Sequence, residues 1–440
     1  MGSNPIPSAI HTYKQKMHNY HVWTTGCQMN KADSERLESA MSQMGLSSTP
    51  SAKDADVIVL NSCVVRQSAE DRAVGMLTSL KPLKEAHPEK VIALMGCMVG
   101  PKSEPLQKRF PYADLFMRPQ QFEPLIDLLG ERMGIDPDGC VGPLTATPDV
   151  ATYIPISHGC DKMCSFCIIP YRRGRDVSRP LREIVREAEL LADRRVREVT
   201  LLGQNVDSYG HDLADNPDLG DLLAKINDID GLDRVRFLTS HPNDMTEHII
   251  DSVAQLDKVC EHFNLPFQAG DDEVLSTMRR GYTNDDYRQL VSKVRDRVPN
   301  VSMSTDVIVG FPGETEEQFE RTLDLIRDIR FDKVHAAAYS NRPGTIAART
   351  MDDDVPAEDK TARLKAIEAL QEEVLTEINS GLAGESLQIL VEGRKRGKWF
   401  GRSRNDKLVF FEDEGDRKGE MVEVYVEKTG PWSLQGTVAP

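Results

Sequence analysis

Three cysteines stand close together in His158-Gly159-Cys160-Asp161-Lys162-Met163-Cys164-Ser165-Phe166-Cys167, in the pattern C-x₃-C-x₂-C, just past the apolar run Tyr153-Ile154-Pro155-Ile156. Three thiolates in one short loop can hold three irons of a cubane [4Fe–4S] cluster. The fourth iron is then left without a cysteine and is free to bind a small molecule. A zinc site is the rival reading; it needs a fourth ligand, for which His158 could serve.

A second set of cysteines is spread over the N-terminal third. His21-Val22-Trp23-Thr24-Thr25-Gly26 runs into Cys27, Val57-Ile58-Val59-Leu60-Asn61-Ser62 into Cys63, and Val91-Ile92-Ala93-Leu94-Met95-Gly96 into Cys97. Each run reads as a buried parallel strand. The stretches between, such as Lys31–Met44 and Ser68–Lys81, read as helices. The unit is therefore βαβαβ, a Rossmann-like parallel α/β domain with right-handed crossovers. All strand C-termini of such a sheet lie on one edge, where ligands bind. Cysteines 36 and then 34 positions apart would gather there, as a second three-thiolate site. Three ordinary buried cysteines is the alternative.

The strand candidates are Tyr153–Ser157, Val199–Gly203, Arg234–Ser240, His262–Gln268, Val301–Gly310 and Lys333–Ser340. Helical patterns lie between them at Leu181–Arg194, Asp244–Gln255, Asp285–Arg297 and Glu316–Ile329, the last opened by a Thr315/Gln318 capping box. Six β/α units predict a partial (β/α)6 barrel, with a generic α/β sheet as the alternative. Function collects at strand C-terminal ends in parallel barrels. That rule singles out Gly203-Gln204-Asn205, Ser240, Gln268, Asp306 and Arg342. The run Tyr171 to Arg182 follows the cysteine loop and holds five arginines, among them Arg172, Arg173 and Arg175. Arginines beside a reaction centre suggest a phosphate-bearing substrate, with a solvated surface face as the plainer reading.

The chain has 440 residues, 39% hydrophobic, and a net charge of −16. That length suggests two or three domains. The division predicted is 18–140, 151–378 and 380–440, with the Pro-, Gly- and Thr-rich stretch Asp136–Thr152 as a boundary. No apolar run is long enough to span a bilayer, and Met1 to Tyr20 lacks the apolar core of a signal peptide. These features predict a cytoplasmic chain, off the membrane. There, eight cysteines argue for metal rather than disulfides. Cys140 is read as a linker residue and Cys260 as core.

The charge is unevenly spread. Pro356–Ile378 reads as a long amphipathic helix. After it come short alternating strands, Leu387–Val391, Leu408–Phe411 and Met421–Val426, which predict a small OB-like β-barrel. From Val391 to Lys407 there are seven basic and two acidic residues, +5 locally on an acidic chain. Arg394, Lys395, Arg396, Lys398, Arg402 and Arg404 are placed to meet phosphates, and Trp399 to stack on an unpaired base. A solvated turn is the alternative.

The C-x₃-C-x₂-C loop resembles that of the radical S-adenosylmethionine (SAM) enzymes. The resemblance implies that the open iron takes the amino and carboxylate groups of SAM. Polar groups at the six strand ends suit such a zwitterionic cofactor. Thr25-Gly26-Cys27-Gln28-Met29-Asn30, Asn61-Ser62-Cys63-Val64-Val65-Arg66 and Gly96-Cys97-Met98 look like the three cysteine motifs of the methylthiotransferases, which hold an auxiliary [4Fe–4S] cluster. Pro170-Tyr171, Arg173-Gly174-Arg175, Ser178-Arg179-Pro180, Leu202-Gly203-Gln204-Asn205-Val206 and Thr239-Ser240-His241-Pro242 resemble the tRNA branch of that family. The C-terminal barrel resembles the TRAM module of RNA-modifying enzymes.

The resemblance covers about residues 18 to 438. It implies transfer of a methylthio group to carbon 2 of N6-isopentenyladenosine next to the anticodon. It implies two [4Fe–4S] clusters, SAM, the tRNA anticodon loop as partner, and a low-potential electron donor such as flavodoxin or ferredoxin. A monomer is expected. A related enzyme acting on N6-threonylcarbamoyladenosine, one acting on a ribosomal-protein aspartate, and a non-catalytic iron–sulfur RNA-binding protein are the alternatives.

Overall fold

The computed structural model describes residues 17–64, 67–136 and 148–439. Cys140, Val65, Arg66 and much of the expected boundary stretch lie outside the described residues. The chain divides into two compact units, Met1–Val64 with Ser68–Ala146, and Val65–Gln67 with Thr147–Pro440.

In the first unit, β1 (Asn19–Thr24), β2 (Ser47–Ser48), β3 (Val57–Ser62), β4 (Val91–Gly96) and β5 (Leu115–Met117) form one parallel sheet in the order β2-β1-β3-β4-β5. Every residue of β3 and β4 is buried, as their unbroken apolar runs require of a sheet covered on both faces. The three strands expected from sequence are the middle of this sheet. The two edge strands were not anticipated, because two or three residues carry no readable alternation. The helix Gln28–Gln43 starts directly after β1, with Cys27 as its N-cap, and buries Leu37, Ala40 and Met41 against the sheet.

The same helix carries a carboxyl that is costly to ionise. Burial, with Glu35 beside it, pushes Glu38 up to about 7. A carboxyl raised above its unfolded value favours folding fully at pH below about 4.5, and that advantage disappears as pH rises through 7. Glu38→Gln should therefore match the parent near pH 4 and exceed it by about 1–3 kcal/mol at pH 8. Thermal unfolding of both proteins across that range checks this; an equal gap at both ends would contradict it.

The second unit begins with β6 (Ala151–Pro155), followed by the short antiparallel ribbon of β7 (Ser157–His158) and β8 (Val177–Ser178). Next come β9 (Glu198–Leu202), β10 (Arg234–Leu238), β11 (His262–Asn264), β12 (Ser302–Val309) and β13 (Lys333–Ala338). β6, β9 and β10 pair in parallel, as do β11, β12 and β13. A parallel bridge between Val235 and Val259, and a 3.0 Å bond from the Ser240 N–H to the Asn264 carbonyl, join the two halves. The result is the predicted six-stranded partial barrel. Its interior is one apolar core that includes Ile154, Leu201, Phe237, Phe263 and Phe267. The helix Glu316–Ile329 opens with the anticipated box: Thr315 Oγ1 accepts from the Gln318 N–H, and Gln318 Oε1 accepts from the Thr315 N–H. A helix at Leu219–Asn227 was not singled out from sequence; Asp218 and Asp221 form its capping box.

The helix Ala357–Ser380 leads to β14 (Ser386–Lys395), β15 (Lys398–Ser403), β16 (Leu408–Phe411), β17 (Met421–Thr429) and β18 (Leu434–Val438), a closed barrel in the order β14-β15-β16-β18-β17. It docks on the larger barrel through buried arginines. Arg234 donates to the Gln388 and Arg402 carbonyls. Arg236 donates to the Ser403 and Arg404 carbonyls and to Glu198. Among the described residues no helix is long and apolar enough to cross a membrane.

Candidate functional site

The cysteine loop of the second unit is fastened at several points. The Gly159 N–H donates to Gln204 Oε1 at 2.7 Å, and the Cys160 N–H to the Gly174 carbonyl at 3.1 Å. Ser165 bonds Met278 through its N–H and Thr277 through its hydroxyl, and its own carbonyl accepts from Ala347. Gly159 has φ +80°, and a Cβ there would stand 1.8 Å from the Arg175 carbonyl oxygen. Only glycine lets the two strands of chain meet so closely. Gly159→Ala should therefore strip the iron–sulfur absorbance from this loop. Gly397→Ala, at a turn with φ +87° and open space around it, should leave the absorbance intact. Equal absorbance in both variants would contradict the close fit.

The three thiols of this loop feel one another. Burial first, then Cys164, pushes Cys160 up to about 11 and Cys167 up to about 12. Metal binding must therefore expel protons that the free protein holds tightly. Among the described residues, the only His, Cys, Asp or Glu ligand atoms that cluster within 4.8 Å as a trio are Asp218, Asp221 and His248, which are on the surface. Neither cysteine triad is drawn in tightly enough to close on one ion. Three thiols carried on one short loop are the donor set that three irons of a cubane cluster take.

Polar groups surround the loop. Lys162 Nζ pairs with Asp244 at 2.8 Å, and Asn205 Nδ2 donates to the same carboxylate at 2.6 Å. Asn205 Oδ1 and Ser157 Oγ are buried with no partner among the described residues. A Cβ on Gly203 would meet Ser157 Oγ at 2.8 Å. Unpartnered buried oxygens at the ends of the first two barrel strands suit a polar ligand.

Other residues expected to contact a cofactor have prior engagements. Gln204 anchors Gly159. Ser240 Oγ donates to Asp207 at 2.9 Å, as does the His241 N–H. Gln268 is half-buried with φ +71°, its N–H on the Asp306 carbonyl, while the Asp306 carboxylate accepts from Asn264. Arg342 is buried. Asp207 carries no signal in the sequence, whereas His241 lies in the Thr239-Ser240-His241-Pro242 motif at a strand end. Burial pushes Asp207 up to about 7, whereas burial and the cations Arg280 and Lys162 push His241 down to about 2, so its ring is neutral.

In the first unit, Cys27, Cys63 and Cys97 follow the adjacent strands β1, β3 and β4. The Thr25 N–H donates to the Asn61 carbonyl at 2.9 Å, and the Cys97 N–H to the Ser62 carbonyl at 2.8 Å. A Cβ on Gly26 would lie 2.6 Å from Cys63 Cβ. Cys63 and Cys97 are buried and Cys27 is exposed. Cys27 is the N-cap of the helix Gln28–Gln43, at the positive end of its dipole. Behind the cysteines, Asn30 Nδ2 donates to Asn61 Oδ1 and to the Ser62 carbonyl, and Asn61 Nδ2 returns a bond to the Asn30 carbonyl. The strand ends thus meet as the βαβαβ reading anticipated.

The basic residues are less uniform than their sequence suggests. Arg173 is buried and Arg172 half-buried; Arg175 is exposed but forked on Asp161 at 2.6 and 2.8 Å. On the small barrel, Arg394, Lys395 and Arg396 are exposed and Lys398 half-exposed around the turn between β14 and β15. Trp399 points inward instead: it is 7% exposed, packs in the barrel core and donates through Nε1 to the Asp413 carbonyl. Alternation along β15 turns Trp399, Gly401 and Ser403 inward, so Trp399 is not placed to stack on a base. Phe400 and Phe410 are half-exposed and form a ring pair with centroids 6.1 Å apart. Arg404 turns onto the larger barrel, bonding Glu261 and the Asp257 and Val259 carbonyls, and Arg402 pairs with Asp406 and Glu392. Arg404 is thus a docking residue.

Known families match three stretches of the chain. Residues 154–326 match the Radical SAM superfamily, 19–118 an uncharacterized protein family, UPF0004, and 382–439 the TRAM domain. The chain is 49% identical over 425 residues to a tRNA-2-methylthio-N(6)-dimethylallyladenosine synthase of Roseiflexus sp. (strain RS-1), covering 96% of this chain and 89% of the relative. It is 47% identical to the protein of the same description in Herpetosiphon aurantiacus, covering 95% and 97%. Its fold is similar to that of a radical SAM methyltransferase from Kitasatospora setae, with a TM-score of 0.55 at 15% identity, over 88% of this chain and 81% of that one.

Proposed function

Since the chain belongs to the family of tRNA-2-methylthio-N(6)-dimethylallyladenosine synthases, we propose that it attaches a methylthio group to carbon 2 of N6-isopentenyladenosine beside the anticodon of tRNA. It is a radical SAM enzyme. The observation that carries the reading is the C-x₃-C-x₂-C loop, fastened at the strand ends of a partial barrel within a chain related to these synthases along nearly its whole length.

When bound, SAM and its cluster supply the methyl group and the radical chemistry that an aromatic C–H needs, because carbon 2 offers no leaving group but hydrogen. Cys160, Cys164 and Cys167 would hold that cluster, and Asn205 and Ser157 would face the SAM. Gly203 leaves the room that a side chain would fill. Lys162 and Asp244 brace Asn205. Cys27, Cys63 and Cys97 would hold a second cluster, the source or carrier of the sulfur. The neutral His241 ring holds no proton to release at neutral pH. Gln268, Asp306 and Arg342 remain candidates for the cofactor pocket.

The base must leave its stack to reach such a site. Arg394, Lys395, Arg396 and Lys398 would meet RNA phosphates, with Phe400 and Phe410 under an unpaired base and Arg172 and Arg175 nearer the chemistry. Arg396→Gln should weaken tRNA binding and lower the salt slope, log K against log salt, by about 0.7 for a lost single-strand phosphate contact. Phe400→Ala should weaken binding by about 1–3 kcal/mol through lost stacking. An Arg396→Gln slope equal to the parent's would remove the tip from the interface. The enzyme works as a cytoplasmic monomer that receives electrons from a flavodoxin or ferredoxin.

Mass spectrometry of tRNA nucleosides from a deletion strain tests the substrate. Loss of the methylthio group from isopentenyladenosine is the expected result. Its loss from threonylcarbamoyladenosine, or an intact tRNA profile beside an unmodified ribosomal-protein aspartate, would transfer the chain to a sister activity. No modification lost anywhere would favour a binding protein without catalysis.

A further inference from the structure

Arg280 is 5% exposed, and its guanidinium is held in three directions. Nη1 donates to Cys164 Sγ at 3.3 Å, Nη2 to the Pro266 carbonyl at 3.1 Å, and Nε to Tyr282 Oη at 3.0 Å. Its carbon lies 5.4 Å from the centroid of the Tyr282 ring. Tyr282 Oη in turn donates to the Phe267 carbonyl at 3.0 Å. The backbone is fixed as well: Asn243 Nδ2 donates to the Arg280 and Gly281 carbonyls. Its partners are thus a phenol, a carbonyl and a thiol. Among the described residues no carboxylate pairs with this cation.

A buried guanidinium without a counter-charge is costly, because the charge has left water and gained no opposite charge in return. The thiol it touches is the middle member of the C-x₃-C-x₂-C triad. As a thiolate on an iron, that sulfur would be the missing counter-charge. We propose that Arg280 is the electrostatic partner of the cluster held by Cys160, Cys164 and Cys167, and that it raises the potential at which this cluster accepts an electron. The inference rests on reading those cysteines as cluster ligands.

The step is a one-electron transfer. A low-potential donor is oxidised by one electron, and the cluster becomes more negative by one charge. No bond is made or broken in the protein and no proton moves. A fixed cation beside a ligand sulfur stabilises the more negative, reduced state more than the oxidised one. Hydrogen bonds to cluster sulfurs act in the same direction. Arginine suits the task because it stays charged when buried and its planar fork can fill three bonds together.

The test uses the full chain in a Cys27→Ala/Cys63→Ala/Cys97→Ala background, where only this loop can carry a cluster. The midpoint potential is read by an EPR-monitored redox titration with dithionite, beside iron content. Arg280→Gln should keep its iron yet show at least a tenfold lower ratio of reduced to oxidised cluster at a fixed potential, about 59 mV for a one-electron couple. Arg280→Lys should fall between the two, keeping the charge and losing the fork. An unchanged midpoint in an iron-replete Arg280→Gln protein would overturn the proposal. Should that variant lose its iron, Arg280→Lys decides: an iron-replete lysine variant with a lowered midpoint supports the role, and one with an unchanged midpoint refutes it. A background protein that binds no iron at all would refute the ligand reading itself.

Discussion

Cys164→Ala should abolish the reaction at its first step. Formation of 5′-deoxyadenosine from SAM under reduction is expected to fall by about 10⁴-fold or more, to the level of protein without iron, with no methylthiolated tRNA. Cys164 is the buried member of its triad, and the other described cysteine of the second unit, Cys260, is buried and feels Arg236, Glu198 and Arg234 instead. Two ligands cannot fix the open iron corner that the cofactor needs. Anaerobic assay of reconstituted protein by liquid chromatography checks this. Parent-like 5′-deoxyadenosine from Cys164→Ala would remove the loop from the chemistry.

Cys27→Ala should separate two activities that the first variant loses together. The loop in the second unit is untouched, so 5′-deoxyadenosine formation is expected to continue. Methylthiolation is expected to vanish, as the proposal that Cys27, the N-cap of the helix Gln28–Gln43, holds the second cluster requires. Iron should fall from about eight to about four per chain, one [4Fe–4S] cluster having been lost. A Cys27→Ala protein that still methylthiolates tRNA at the parent rate would show the upstream cysteines to be structural.

These contrasts follow from features that the sequence displays openly. Cys27, Cys63 and Cys97 each end an apolar run, and the β/α period puts such ends on one edge of a parallel sheet. The six barrel strands were legible for the same reason, their ends shifting by a few residues; β11 in particular is only three residues long. What stayed hidden depends on partners far along the chain. Arg404 reads as one more phosphate contact until Glu261, 143 residues earlier, is seen to hold it. Arg280 belongs to no motif in the sequence, and only the fold turns it onto Cys164, 116 residues earlier. Trp399 is different. Its inward orientation follows from the two-residue alternation of β15, where Trp399 pairs with the buried Phe411, a period masked by the surrounding charge. Arg173 was misjudged in the same way, as a member of a charged run rather than as a buried side chain.

Two separate triads of thiolates, one in each unit, are the heart of this account. Iron and acid-labile sulfide, measured on anaerobically reconstituted full-length protein, test it most directly. About eight of each per chain are expected for two [4Fe–4S] clusters. A protein that saturates at about four of each, with no further loss when Cys27, Cys63 or Cys97 is replaced, would contradict it.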